Sequence, residues 1–131
     1  MLLNRRTTLS LLALAAIPLA TGAFAGEKKA FTDAAFDAAN KAGKPVFVEV
    51  AASWCPTCKQ QAPHISKIIA EPRFKDLVVL SVDFDAQKDV LKKLNVQKQS
   101  TLLTFKGGKE IERSVGDTDP NTIKMLIEST L

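Results

Sequence analysis

Cysteine, histidine and aromatic residues are scarce in this chain of 131 residues, which has two cysteines, one histidine, one tryptophan and no tyrosine. Two cysteines cannot form the multi-bridge framework of a small disulfide-rich protein. A zinc site built on this pair would need two further ligands, and the chain offers only His64 as a histidine. The counts therefore exclude a disulfide scaffold and argue against a structural zinc module.

The chain also lacks a hydrophobic run long enough to span a membrane, because its longest apolar stretch, Leu9–Ala20, is interrupted by Pro18. The basic pair Arg5-Arg6 precedes this stretch, and an Ala-Phe-Ala triplet ending at Ala25 follows it. A basic segment, a short apolar segment and small residues at a cleavage site are the three parts of a bacterial secretory signal. We therefore expect residues 1–25 to be a signal peptide, and the mature protein to be periplasmic or secreted.

Two export routes fit the arginine pair. Arginines followed by Leu9 partly resemble a twin-arginine signal, which exports folded proteins, although Asn4, Thr8 and Ser10 differ from the residues usual around such a pair. In the simpler interpretation, the arginines supply the positive charge used by the general secretory route. No cysteine follows the predicted cleavage site, so a lipoprotein anchor is not expected.

The rest of the composition is that of an ordinary globular protein, with 46% hydrophobic residues, 24% charged residues and a formal net charge of +4. The length suits one domain, and the composition excludes disorder and collagen-like repeats. The lysine pairs at 28–29 and 92–93 are too sparse for a nucleic-acid-binding patch. We expect residues 26–131 to form a single soluble domain, monomeric and without affinity for nucleic acid.

Hydrophobic periodicity predicts that helices and strands alternate along this domain. The predicted helices cover residues 31–39, the stretch after Cys58 that ends near Pro72, about Gln87 to Leu94, and the stretch opened by Asp119-Pro120. The predicted strands are residues 46–51, 77–82, 101–105 and 110–115, the last two joined as a hairpin at Gly107-Gly108. Alternation followed by a hairpin predicts an α/β fold, with a mixed sheet covered by helices on both faces.

The motif that carries chemistry is Cys55-Pro56-Thr57-Cys58, between a predicted buried strand and a predicted helix. Cysteines at this spacing are close enough to form a disulfide. The unpaired N–H groups at a helix N-terminus stabilise a thiolate, so we expect the pKa of Cys55 to lie below the ordinary value of about 8.5. A low pKa makes Cys55 the nucleophile and good leaving group of disulfide exchange, and Cys58, one turn later, the resolving cysteine.

The surroundings of the motif resemble the thioredoxin superfamily over nearly the whole mature chain. The run Trp54–Lys59 resembles the family signature Trp-Cys-x-x-Cys-Lys, Pro63 matches the proline of its active-site helix, and Asp85, Phe105–Gly108 and Val115-Gly116 fall at family-like intervals. The resemblance implies a three-layer thioredoxin-like fold and thiol–disulfide exchange with protein substrates. It implies no cofactor, because the Cys55–Cys58 pair carries both electrons.

Further roles follow from the same resemblance. Glu49, six residues before Cys55, matches a buried acid of the family and would accept the proton of Cys58, since burial raises the pKa of a carboxyl group. An alternative places Glu49 at a solvated strand end. The residues expected to face substrate are Trp54, Pro56, Thr57, Gln99, Ser100 and Thr101.

The direction of exchange is a separate question. The pair Pro56-Thr57 matches neither the Gly-Pro of cytosolic thioredoxins nor the Pro-His of the strong periplasmic oxidase. Resemblance to periplasmic thioredoxin-like proteins favours a reductant that a membrane electron donor keeps reduced.

Ser100 departs most clearly from the family, which has a cis-proline just before the threonine of that strand. A cis bond before a residue other than proline costs roughly 2.5–4 kcal/mol, so we expect a trans bond at Ser100. The small hydroxyl leaves space beside the cysteines and offers a hydrogen-bond donor to a thiolate. Two alternatives to exchange therefore stay open: a soft-metal module that binds Cu(I) through Cys55 and Cys58, and a redox-inactive interaction domain with a permanent disulfide.

Overall fold

The strands of the sheet follow the β-rich runs of the sequence, with one addition at the start. The computed structural model describes residues 27–131, and the predicted signal peptide, residues 1–25, lies outside them. The strands are β1 (Lys28–Ala30), β2 (Pro45–Ala51), β3 (Val78–Asp83), β4 (Thr101–Lys106) and β5 (Lys109–Val115). The helices are α1 (Asp33–Lys41), α2 (Pro56–Ile69), α3 (Lys88–Lys93) and α4 (Pro120–Glu128), and a 3-10 turn covers Pro72–Phe74.

The strands form one mixed sheet in the order β1-β3-β2-β4-β5. β1, β3 and β2 are parallel, while β4 is antiparallel to β2 and β5 is antiparallel to β4. The central strand is therefore β2, which delivers the chain to the cysteine motif. This topology confirms the predicted α/β fold with a mixed sheet.

The predicted element order was wrong at its beginning, because it omitted β1. This strand has three exposed residues, Lys-Lys-Ala, and shows neither alternation nor an apolar run. It exists because its backbone pairs with the edge of β3, a contact between segments far apart in the sequence.

Helices cover both faces of the sheet, as predicted. Val46, Val48 and Val50 of β2 point into a core shared with α1 and α3, which contribute Phe36 and Leu91 among others. Phe47 points to the opposite face, into a core formed mainly with α2 and α4. The period of two along a strand places alternate side chains on opposite faces. Glu49 follows Phe47 on the side of α2, the helix that carries Cys58.

Local signals in the sequence fix the start of α4 and the turn between β4 and β5. The carboxylate of Asp119 accepts hydrogen bonds from the backbone N–H groups of Thr122 and Asn121, which hold the pKa of Asp119 below its ordinary value. Gly107 and Gly108, at φ 60° and 82°, form the predicted tight turn between β4 and β5, a left-handed conformation that favours glycine. Within residues 27–131, no helix is both long and apolar enough to cross a membrane.

Candidate active site

The cysteine pair lies where β2 leads into α2. Cys55 is the N-cap of α2, with extended backbone, and the backbone N–H of Cys58 donates to its Sγ at 3.1 Å. Pro56 occupies the first helical position, where its missing N–H costs nothing. The two cysteines form a disulfide with their Cα atoms 5.3 Å apart. The sequence therefore places a bridge at a helix N-terminus, with an amide donor aimed at the first sulfur.

The pair is covered in this oxidised state. Cys55 is fully buried and Cys58 is 9% exposed, in a small cluster with Ala52 and the partly buried Phe84. Thr57 is half-buried between them, whereas Pro56 is exposed. The helix terminus favours a thiolate on Cys55, whereas Cys58 is the more exposed of the two cysteines in the oxidised state.

Glu49 is buried, at 6% exposed, and its Oε1 lies 2.7 Å from Nζ of Lys28 in β1. The burial agrees with the prediction, and the solvated alternative does not hold. The partner was not predicted, because it comes from the strand that the sequence pattern did not reveal. Glu49 precedes Val50, whose carbonyl oxygen lies 3.9 Å from Cys58 Sγ. Glu49 therefore belongs to the strand that contacts the second cysteine.

A surface cavity of about 510 Å³ connects this acid to solvent. Lys28, Glu49 and Asp83 line it together with Ala52 and Ser53, which belong to the turn that leads to Cys55. Glu49 therefore lies in the core and also borders a path for water.

Trp54 covers the approach to the pair from outside. It is 53% exposed, its indole Nε1 donates to Asp85 Oδ2 at 2.8 Å, and its ring meets the edge of Phe84 at a centroid distance of 6.3 Å. The hydrogen bond holds a large apolar surface next to Cys55, and the remaining exposed area of the ring is open to a partner.

The segment before β4 contributes the other residues expected to face substrate. Gln99 is half-buried, while Ser100 is 5% and Thr101 1% exposed. The hydroxyl of Thr101 donates to the Lys98 carbonyl at 2.7 Å, so this side chain is directed away from solvent. Within this segment Gln99 is the residue most accessible to a partner.

Ser100 has an unusual backbone conformation. No peptide bond among residues 27–131 is cis, as predicted for the bond before Ser100, and its φ is 59°, in the left-handed region. Its N–H donates to the Val50 carbonyl at 2.8 Å. Its hydroxyl donates to the Gln99 carbonyl at 2.6 Å, not to a cysteine sulfur as the sequence suggested. In the oxidised form this hydroxyl proton is already committed to the backbone.

Gln61, which the sequence analysis missed, lies beside this segment. It is 2% exposed and occupies the inward face of α2, which otherwise presents Cys58, Ile65 and Ile68. A glutamine at a position of the helix that faces the core is the sequence signal that could have identified it, because a buried amide needs hydrogen-bond partners.

Metal-binding side chains do not gather elsewhere in the described part of the chain. Among residues 27–131, no group of three or more histidine, cysteine, aspartate or glutamate side chains could hold a metal ion. The soft-metal alternative therefore depends on the two cysteine sulfurs.

Comparisons of the sequence and of the fold with known proteins all identify the same family. The family model described as thioredoxin matches residues 27–129. Thioredoxin-2 of Saccharomyces cerevisiae is 38% identical over 97 residues, which cover 73% of this chain and 90% of that protein. A thioredoxin H-type from Oryza sativa subsp. indica is 37% identical over 101 residues, or 75% of this chain and 81% of that one. The crystal structure of Trxlp from Edwardsiella tarda EIB202 superimposes with a TM-score of 0.75 at 40% identity, covering 77% of this chain and 98% of that chain.

Proposed function

The chain belongs to the thioredoxin family and is a thiol–disulfide oxidoreductase, and from that premise we propose that it reduces protein disulfides outside the cytoplasm. The observation that carries the exchange chemistry is the position of Cys55 as the N-cap of α2, with the Cys58 N–H on its sulfur. The direction and the location are supported by the resemblance to periplasmic thioredoxin-like proteins and by the predicted signal peptide. The exchange uses the protein's own sulfurs and no cofactor.

The geometry supports the following course of exchange. In the reduced protein, the Cys55 thiolate attacks one sulfur of a protein disulfide, forming a mixed disulfide and releasing the partner's other sulfur as a thiolate. Cys58 loses its proton and attacks Cys55 Sγ, which closes the Cys55–Cys58 disulfide and releases the partner's second sulfur. Two electrons pass to the partner. The Cys58 N–H stabilises negative charge on Cys55 whenever that sulfur is the attacking or leaving group.

We propose that Glu49 accepts the proton that Cys58 loses before it attacks Cys55. The carboxylate is buried and belongs to β2, the strand that contacts Cys58, and the cavity of about 510 Å³ allows water to carry the proton onward. Nζ of Lys28 lies 2.7 Å from Oε1 of this acid, so the buried carboxylate has an opposite charge beside it.

Protein partners would bind over the exposed face around the pair. Trp54 is 53% exposed, Pro56 and Thr57 lie between the two cysteines, and Gln99 is the accessible residue of the segment before β4. Ser100 and Thr101 support this face from beneath, since both are buried.

The redox potential tests the proposed direction. Purified protein is equilibrated with glutathione buffers of known ratio, and the dithiol fraction is read by alkylation. A potential near −270 mV supports a reductant that depends on an electron donor in the membrane, and one near −120 mV overturns it in favour of an oxidant. Copper that stays bound stoichiometrically to the anaerobically reduced protein, with poor reduction of insulin, would favour the soft-metal alternative instead.

The place of action needs its own test, on the full chain expressed in a Gram-negative bacterium. Export is supported if the periplasmic fraction contains protein that begins at Gly26, and full-length protein retained in the cytoplasm opposes it. The double variant Arg5→Lys, Arg6→Lys then separates the routes. It blocks a twin-arginine signal, whereas the general secretory route needs only the positive charge, which lysine retains.

A further inference from the structure

The amide of Gln61 joins three separate parts of the site. Its Nε2 donates to the Ser100 carbonyl at 3.2 Å and to the Asp117 carbonyl at 2.7 Å. Both N–H groups of the amide are thus used on backbone oxygens, one in the segment before β4 and the other in the turn after β5. Gln61 itself belongs to α2, one turn after Cys58.

The backbone of the 99–101 segment is strained and depends on hydrogen bonds from its neighbours. Ser100 has a φ of 59°, which disfavours any residue with a side chain, and Gly116 beside it has a φ of 74°. The Ser100 carbonyl accepts from the Gly116 N–H at 3.0 Å as well as from Gln61, and the Ser100 N–H donates to Val50 at 2.8 Å. Strained backbone persists only where its surroundings determine it fully, and these three bonds do so.

The same segment adjoins the cysteines. The carbonyl oxygen of Val50 meets the Ser100 N–H at 2.8 Å and lies 3.9 Å from Cys58 Sγ. One backbone oxygen therefore lies between the serine and the resolving cysteine. Because Gln61 is on the helix that carries Cys58, its amide fixes the 99–101 segment relative to the reacting sulfurs and not merely relative to the sheet.

We infer that Gln61 is a positioning residue, which fixes the segment 99–101, holds the accessible Gln99 in place for a partner and thereby controls the affinity for protein disulfides. Packing alone does not require an amide here, since Gln61 is 2% exposed and a methionine of similar length would fill the space without a buried polar group. The inference rests on exchange with protein substrates, and not on its direction or location. The potential and export measurements can therefore fail while this one succeeds.

The first test compares Gln61→Met with Gln60→Met, a matched change at the exposed neighbour on the same helix. Steady-state reduction of insulin gives KM and kcat, and a small aromatic disulfide reports the intrinsic reactivity of the cysteines. We expect Gln61→Met to raise KM for insulin by about tenfold or more, because it removes both hydrogen bonds of the amide and each is worth up to about a factor of ten. We expect kcat and the rate with the small disulfide to stay within about twofold of wild type. Gln60→Met should match wild type throughout.

Two results would overturn the inference. One is an unchanged KM for insulin in Gln61→Met, and the other is an equal loss on insulin and on the small disulfide, which would indicate a general structural defect. Amide hydrogen exchange at Ser100 and Gly116 provides a second readout, since both N–H groups should exchange faster in Gln61→Met if the amide fixes this segment.

Gln61→Glu keeps the test decisive if the methionine variant does not fold. An ionised glutamate offers no donor to the two carbonyls, whereas a protonated one offers a single donor. The insulin KM of Gln61→Glu, divided by that of wild type at each pH, should therefore fall between pH 8 and pH 5. A ratio that does not change with pH would contradict the proposed hydrogen bonds.

Discussion

Replacement of Ser100 by proline should destabilise the protein, although proline is what the family resemblance suggests at this position. The proline ring fixes φ near −65° and removes the N–H group. Ser100 has a φ of 59°, and its N–H donates to the Val50 carbonyl at 2.8 Å. Proline can provide neither the positive φ nor the N–H donor that this position has.

The magnitude follows from the contacts that are lost. A buried carbonyl left without its donor costs about 1–3 kcal/mol, and the hydroxyl bond to Gln99, 2.6 Å in the structure, contributes about 1 kcal/mol more. The reduced freedom of the unfolded chain returns about 0.4–1 kcal/mol to a proline variant. We therefore expect Ser100→Pro to lose about 1–3.6 kcal/mol, and a loss near the middle of this range, about 2 kcal/mol, lowers Tm by roughly 10 °C in a domain of this size.

Thermal and urea unfolding of the oxidised protein measure this difference. Ser100→Gly is the matched control, because glycine accepts a positive φ and keeps the N–H while losing the same hydroxyl, so it should stay within about 1 kcal/mol of wild type. A proline variant as stable as wild type would refute the reasoning, since the segment could then rebuild around the ring without cost.

Three further outcomes are expected. Cys58→Ser should accumulate a mixed disulfide with a protein substrate through Cys55, visible on a non-reducing gel; accumulation with Cys55→Ser instead would mean that exposure, and not the helix terminus, selects the attacking sulfur. In the protein with both cysteines, Glu49→Gln should slow the resolution of the mixed disulfide by Cys58, by about 10²-fold or more if the carboxylate is the general base, and equal single-turnover rates from pH 6 to 9 would exclude this role. The lowered pKa of Asp119 stabilises the folded state above its ordinary pKa of 3.8, and this contribution disappears as the pH falls through the lowered value. The stability difference between wild type and Asp119→Ala should thus be constant from pH 7 to 5 and shrink toward pH 2, and urea unfolding that shows no such change would contradict the cap.

The parts of the fold that could be predicted are those with local signals. Each of these signals lies within a few residues of the element that it predicts. They are the β-branched run of β2, the cysteine N-cap and proline at the start of α2, the two glycines of the hairpin, and the Asp119 cap. Because β2 and α2 are both of this kind, the position of the cysteine pair followed from the sequence.

The parts that could not be predicted depend on contacts between distant segments. β1 is defined by pairing with β3, and its Lys28 reaches Glu49 only because the sheet order places β1 two strands from β2. The conformation of Ser100 depends on Val50 and Gly116, which nothing near residue 100 reveals. Gln61 differs from these cases, since the spacing of Cys58, Ile65 and Ile68 along α2 already indicates that its side chain faces the core.

The three-residue strand β1 has a practical consequence for anyone who prepares this protein. Lys28 opens that strand at the rim of the sheet and holds the ion pair with the buried Glu49, so a tag fused directly before residue 28 would begin at a partner of this carboxylate. Such a tag would crowd the three-residue strand and its ion pair with Glu49. Purification handles belong at the opposite terminus, where Leu131 is 59% exposed and follows the last helix.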